Sequence, residues 1–241
     1  MAAAALLLVV FFLIKHVLLV REIVFTGNRH IKKDEMSAIL RIRKSSGLFD
    51  VSGKDLYGNL MQSPWIKEGI VRKELSGRVI VKITERVPVA LLMVEDKPFL
   101  IDREGYLLEQ LKEDTVLLLP VIKGIDPARD KETYAEAVKF AGVLYDRRVL
   151  SYKGEVEISG QRPEDITLKV DNIVIKVGMG DFEKKLKRLE FVRGEIRKRS
   201  MTVDYIDLRF ADKIVVRPST LEARGNDAVG AVHEDGKKKK N

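Results

Sequence analysis

The chain has no cysteine, which excludes a disulfide scaffold, cysteine-ligated zinc, iron–sulfur clusters and every thiol nucleophile. Histidine is almost as scarce, with three in 241 residues. His16 sits in an apolar run and His233 in a tail of Gly, Ala and charge. His30 has no carboxylate or hydroxyl partner in sight, so it reads as an exposed loop residue and not as the base of a triad. The basic residues lack the aromatic interleaving of a nucleic-acid stacking platform. These absences leave little for an enzyme to work with.

Apolar types make up 45% of the chain, ample for compact cores, so wholesale disorder is excluded. Lys plus Arg number 44 against 36 Asp plus Glu, a net charge of +8. Residues 21–88 hold 14 basic and 8 acidic side chains, whereas residues 89–218 balance at 24 of each. The excess therefore follows directly on the apolar N-terminus, where it either solvates the surface or faces anionic lipid headgroups.

Between residues 2 and 20, 17 of 19 side chains are apolar. As a helix this stretch measures roughly 28 Å, close to the hydrocarbon thickness of a bilayer. A buried core helix keeps a polar face, and residues 2–14 have none. A cleaved signal peptide ends at a small-x-small site, and residues 15–22 contain no Ala, Gly or Ser. A signal anchor is the preferred reading over these two. Lys15 then snorkels toward the headgroups. No basic segment precedes Ala2 to set orientation, which suggests a translation start upstream of Met1.

Residues 23–26 read as a strand ending in the turn Gly27-Asn28. Asp34 is predicted to cap a helix bearing Met36, Ile39 and Leu40 and running toward Gly47. Ser52 opens a second helix carrying Leu56, Leu60 and Met61 and ending before Pro64. Residues 65–75 and 79–85 follow as strands joined by Ser76-Gly77-Arg78. The result is a β-α-α-β-β domain over residues 21–87.

A second domain is expected over residues 88–218. Strands are predicted at 89–94, 99–101 and 106–108, with Arg103-Glu104-Gly105 as a hairpin turn. A helix over 133–147 buries Ala137, Phe140, Ala141 and Leu144. Strands at 156–159, 166–170 and 173–177 precede a helix over 182–198 with Leu186, Leu189 and Val192 inward, and strands at 203–208 and 213–216 close the fold. Residues 219–241 read as a disordered basic tail. The fold class is α+β: an N-terminal transmembrane helix, a β-α-α-β-β domain and a mixed β domain with packed helices.

Two motifs imitate catalytic sites. Gly178-Met179-Gly180 after a strand offers amides to a phosphate, but it lacks the third Gly of a dinucleotide fingerprint and reads as a turn with Asp181 capping the next helix. Asp102, Glu104 and Glu109 could form paired acids, but alternation puts them on an exposed hairpin. No catalytic, cofactor-binding or metal-binding residue is assigned.

Pro64-Trp65-Ile66-Lys67-Glu68-Gly69-Ile70-Val71-Arg72-Lys73 followed by Val79-Ile80-Val81-Lys82-Ile83-Thr84-Glu85-Arg86-Val87-Pro88-Val89-Ala90 resembles the FtsQ/DivIB family of bacterial cell-division proteins. Residues 23–28 look like the opening of that family's POTRA domain. Leu100-Ile101-Asp102-Arg103-Glu104-Gly105, Leu119-Pro120-Val121-Ile122-Lys123-Gly124 and Val203-Asp204-Tyr205-Ile206-Asp207-Leu208-Arg209-Phe210 match further motifs in the family's order. Two features depart from it: Ser76-Gly77 stands where members usually carry Pro, and a cytoplasmic tail is absent. The resemblance implies a non-enzymatic, single-pass scaffold of the divisome. Its N-terminus would lie in the cytoplasm and its bulk in the periplasm or extracytoplasmic space at the septum. It also implies recruitment through the POTRA domain, and binding of FtsB (DivIC)- and FtsL-type bitopic proteins by the β domain in control of septal peptidoglycan synthesis. An outer-membrane-assembly type POTRA module is the alternative.

The last predicted strand of a sheet is a candidate edge, either an ordinary one protected by Lys213, Arg217 and Pro218 or one that accepts a partner strand, and the resemblance favours the second. The partner site is accordingly placed on Tyr205, Arg209, Phe210, Ala211, Asp212, Lys213, Ile214, Val215, Val216 and Arg217. Phe210 takes the position of an aromatic anchor in the family, and Arg162 loosely matches a basic family residue that pairs with an acidic partner side chain.

Overall fold

The computed structural model describes residues 18–219 apart from 44, 113–114, 116, 149–155 and 172. Most of the expected membrane anchor, residues 1–17, and the basic tail from residue 220 lie outside the described residues. The anchor's last three residues, 18–20, are not helical, contrary to expectation, because Leu19 bridges Gly47 and Val20 is buried in the first unit. Among those described, no helix is long and apolar enough to cross a membrane. The chain divides into two compact units, Met1–Pro88 with Tyr106–Gln110, and Val89–Gly105 with Leu111–Asn241.

In the first unit, β1 (Glu22–Thr26), α1 (Lys33–Leu40), α2 (Gly53–Leu60), β2 (Ile66–Lys73) and β3 (Arg78–Glu85) appear in the predicted order. The sheet runs β1-β3-β2, with β1 parallel to β3 from Glu22–Arg78 to Thr26–Lys82 and β2 antiparallel to it. Alternation along β3 turns Val79, Val81 and Ile83 inward, where Met36, Leu40, Leu56 and Leu60 join the buried core. Ser52 caps α2, accepting the Asp55 amide at 3.3 Å.

Three local expectations fail here. Lys32, not Asp34, is the N-cap residue of α1, and Asp34 lies in the first turn, where its charge complements the helix dipole. The helix ends at Leu40, well before Gly47, because Arg41 takes a left-handed conformation (φ 54) that stops it. The second helix ends at Leu60, so Met61 is not carried on it but is its C-cap residue, and it is exposed. Gly27 has φ 87, and a Cβ there would run into the Ile83 carbonyl oxygen, so only glycine fits the turn out of β1. His30 is exposed as expected but not isolated. Its ring stacks on Trp65 at 3.8 Å, and its amide and that of Ile31 donate to the Glu85 carboxylate at 2.7 and 2.9 Å.

The chain continues through β4 (Pro88–Val94), β5 (Lys97–Asp102), β6 (Leu107–Gln110), β7 (Val121–Ile122), α3 (Lys131–Asp146), β8 (Glu157–Ser159), β9 (Thr167–Val170), β10 (Ile173–Lys176), α4 (Phe182–Lys198), β11 (Val203–Asp207) and β12 (Val215–Pro218). Within the second unit the strands lie in the order β12-β11-β10-β9-β8-β7-β4-β5. β7 and β8 are parallel, as are β10 and β11, and each pair is joined through a helix, α3 and α4 respectively. A parallel pair requires such a crossover because a tight hairpin can only reverse direction. The expected stripe of α3 is the heart of this core: Ala137, Phe140, Ala141 and Leu144 are all fully buried, with Phe140 4.9 Å from the Phe182 ring.

The two-residue strand β7 escapes any periodicity test. Asp102 overturns its expected exposure: it is buried at the end of β5 and accepts the Glu104 amide at 2.9 Å, so the carboxylate shapes the turn.

Candidate partner-binding edge

β12 is the terminal strand of its sheet, paired only with β11 among the described residues. It spans Val215–Pro218, two residues later than the predicted start, because 209–214 form an irregular turn. Asp207 faces Val215, Ile206 faces Val216 and Tyr205 faces Arg217, with a bulge between Val203 and Tyr205.

Hydrogen bonds just beyond the strands fix which groups look outward. The Leu208 amide donates to the Lys176 carbonyl on the β10 side at 2.8 Å, so by alternation Ile206 also faces β10, while Tyr205 and Asp207 face β12. On the other strand the Ser219 amide donates to Thr202 at 2.9 Å, which directs the backbone groups of Val215 and Arg217 inward by the same alternation. Val216 is therefore the residue whose N–H and C=O point to the open edge, while its side chain is half-buried against the core. The next outward position, Pro218, has no N–H to offer.

The turn before β12 is held from α4. Arg188 donates through Nη1 to the Phe210 carbonyl at 2.9 Å and through Nη2 to the Lys213 carbonyl at 2.8 Å. Arg209 folds back on Asp207: Nη2 lies 2.7 Å from Oδ2, and the Arg209 amide lies 3.0 Å from Oδ1. Burial by itself would raise the Asp207 carboxyl, but the hydrogen bonds from Arg209 outweigh it and hold the group below the usual carboxylate range. The same side-chain bond raises the Arg209 pKa.

These contacts leave Phe210 44% exposed, with Lys213 Nζ 4.9 Å from its ring centroid. Ala211, Asp212 and Lys213 are exposed as well, and Ile214 is half-buried. Tyr205 lies between Lys176 and Arg217, whose charged groups are 4.8 and 5.9 Å from its ring. The structure also brings Arg162 into this neighbourhood. Its guanidinium bonds Asp165 at 3.0 Å, and the other oxygen of Asp165 lies 3.8 Å from Arg209. A groove of about 450 Å³ runs beside Lys187, Phe191, Asp212 and Ile214. Phe191, 73% exposed, is the residue that sequence reasoning missed. Its signal was an aromatic off the Leu186–Leu189 stripe of α4.

The catalytic-looking motifs do other things. The Gly180 amide donates to Glu136 at 3.2 Å, so it is committed within the protein and not offered to a phosphate. Asp181 occupies the N-cap position of α4 in a left-handed conformation (φ 48) and makes no side-chain cap bond. Glu109 accepts from Trp65 Nε1 at 3.3 Å. Among the described residues no three His, Asp or Glu side chains group as metal ligands.

Comparison with known proteins bears on both units. Residues 18–86 match the model of the POTRA domain, FtsQ-type, and residues 90–209 that of cell division protein FtsQ/DivIB, C-terminal. Proteins named cell division protein FtsQ align over most of their length. The one from Syntrophotalea carbinolica is 25% identical over 86% of this chain and 76% of its own. That of Geotalea daltonii is 28% identical over 78% and 71%, and that of a Geobacter species 29% over 78% and 72%. With both family models matched in order along the chain, this protein belongs to the FtsQ/DivIB family of cell-division proteins.

Proposed function

We propose that this chain is a non-enzymatic, single-pass scaffold of the bacterial divisome that binds FtsB (DivIC)- and FtsL-type bitopic proteins by strand addition to β12. In this role it links early and late division proteins and controls septal peptidoglycan synthesis. The observation that carries the reading is the outward N–H and C=O of Val216 at an open sheet edge beside the exposed Phe210. Main-chain pairing supplies affinity there, and side chains alternating along the strand supply specificity. The apolar run before Leu18 serves as the signal anchor, the unit up to residue 87 as the recruiting POTRA domain and residues 88–218 as the partner-binding domain outside the cytoplasmic membrane. Membership of a family of cell-division proteins supports the setting.

The test is binding of an FtsB-type ectodomain to the full chain, to a chain lacking residues 220–241, and to one truncated before Phe210. Deleting the tail should change nothing, whereas the longer truncation should abolish binding. Full binding by a folded protein without residues 210–241 would refute the site.

A further inference from the structure

The end of the first unit where the chain enters is built without slack. Leu18 accepts the Leu48 amide at 2.7 Å, the Val20 amide donates to Ser46 at 2.8 Å, Ser45 donates back to Val20 at 2.9 Å, and the Arg21 amide donates to Gly77 at 2.8 Å. Leu19 bridges Gly47, and Val20 is 1% exposed. The last three residues of the apolar run, 18–20, thus belong to the folded unit, and in the sequence no linker separates that unit from the remainder of the run.

Topology adds a second feature at the same end. Because β1 and β3 are parallel and both begin at the Glu22–Arg78 pair, the tip of the β2–β3 hairpin projects to the side from which the chain enters. Leu75 stands on that tip, 72% exposed, and Leu19 beside the entry is 38% exposed. Arg21, Arg43 and Arg78 are exposed around them, with Glu22 and Glu74 as the nearby acids. Glu74 is engaged by Arg78 at 3.4 Å. Leucines ringed by arginines suit the boundary between acyl chains and phosphates, where the apolar groups enter and the guanidinium groups stay with the headgroups.

We propose that the first unit is seated directly on the anionic surface of the bilayer through this end, with Leu75 entering the headgroup region and Arg21 and Arg78 meeting lipid phosphates. The inference rests on the signal-anchor reading of the apolar run before Leu18. A rigid junction converts the anchor into an orienting device: the unit stands on its β1 start, and Gly27, at the other end of β1, is carried away from the lipid. The net charge of +6 over residues 21–88 adds a salt-screened attraction to the same surface.

The absence of native cysteine makes the test direct. The full chain is reconstituted in phosphatidylcholine vesicles doped with phosphatidylglycerol, carrying an environment-sensitive fluorophore at Leu75→Cys or, as the control, at Arg29→Cys. Both positions are exposed, so labelling leaves the core untouched. Nitroxide-bearing lipids should quench the label at position 75 at least about twofold more than at position 29. Equal quenching in a chain that resists alkaline carbonate extraction would overturn the seat and leave the anchor standing. A chain released by carbonate would overturn the anchor reading, and the seat with it.

Discussion

Arg188 grips the backbone of Phe210 and not its side chain: the guanidinium donates to the Phe210 carbonyl at 2.9 Å, and the residue is left 44% exposed. The second bond, to Lys213, closes the turn between β11 and β12 from the flank of α4. Holding an aromatic by its main chain fixes its position while leaving much of its side chain accessible, which lowers the ordering cost of any contact it makes.

Replacing Arg188 with alanine should therefore weaken partner binding without touching a contact residue. The two charge-assisted bonds lie near the surface, so the loss of stability should be modest, about 1 kcal/mol. Chemical denaturation and calorimetric titration with an FtsB-type ectodomain measure the two effects. An unchanged affinity would mean that the turn holds its shape unaided.

Phe210→Ala should keep the fold and cost binding about 2 kcal/mol or more, roughly a thirtyfold rise in Kd. Surface plasmon resonance reads this directly. A change below about threefold would remove Phe210 as the anchor.

Proline distinguishes the two sides of β12. Val215 directs its amide to β11, so Val215→Pro removes a ladder bond and should destabilise the second unit by about 1–3 kcal/mol. Val216 directs its amide to the open edge, so Val216→Pro should spare the fold and cut strand addition. Thermal melts and binding assays on both variants should give opposite patterns. The same pattern in both would contradict the assigned alternation.

Asp207 ties the stability of the second unit to acid. Its folded pKa is depressed below the unfolded value of about 3.9, so its contribution is complete above that value and lost as pH falls through the lower, folded one. Asp146, lowered by its hydrogen bond to Arg103, adds to the same acid-side loss. In melts recorded from neutral pH downward, Asp207→Asn should start lower and then converge on the parent below about pH 4. Parallel curves would place the pKa shift elsewhere.

Gly27→Ala should destabilise the first unit by about 1–3 kcal/mol, since both the positive φ and the Ile83 carbonyl oppose a Cβ. Urea unfolding of the full chain should show the loss in the transition of that unit alone.

Local pattern determined much of this molecule. The boundaries of α4, the buried stripe of α3 and the inward Val79, Val81 and Ile83 of β3 follow from spacing alone, because periods of about 3.6 and of two residues express which face meets the core. Other features depended on partners distant in sequence. Asp102 becomes buried because its turn closes around it, and β7 is a strand only because β4 and β8 lie on either side. Arg162 reaches the neighbourhood of Arg209 through Asp165. The sequence by itself marked the last strand as a candidate edge, but only the register of β12 on β11 decided that Val216, and not Val215, faces outward. A strand's side chains carry their preferred face in their chemistry, whereas the direction of a backbone amide is the same for every residue type and is set by whichever strand pairs with it.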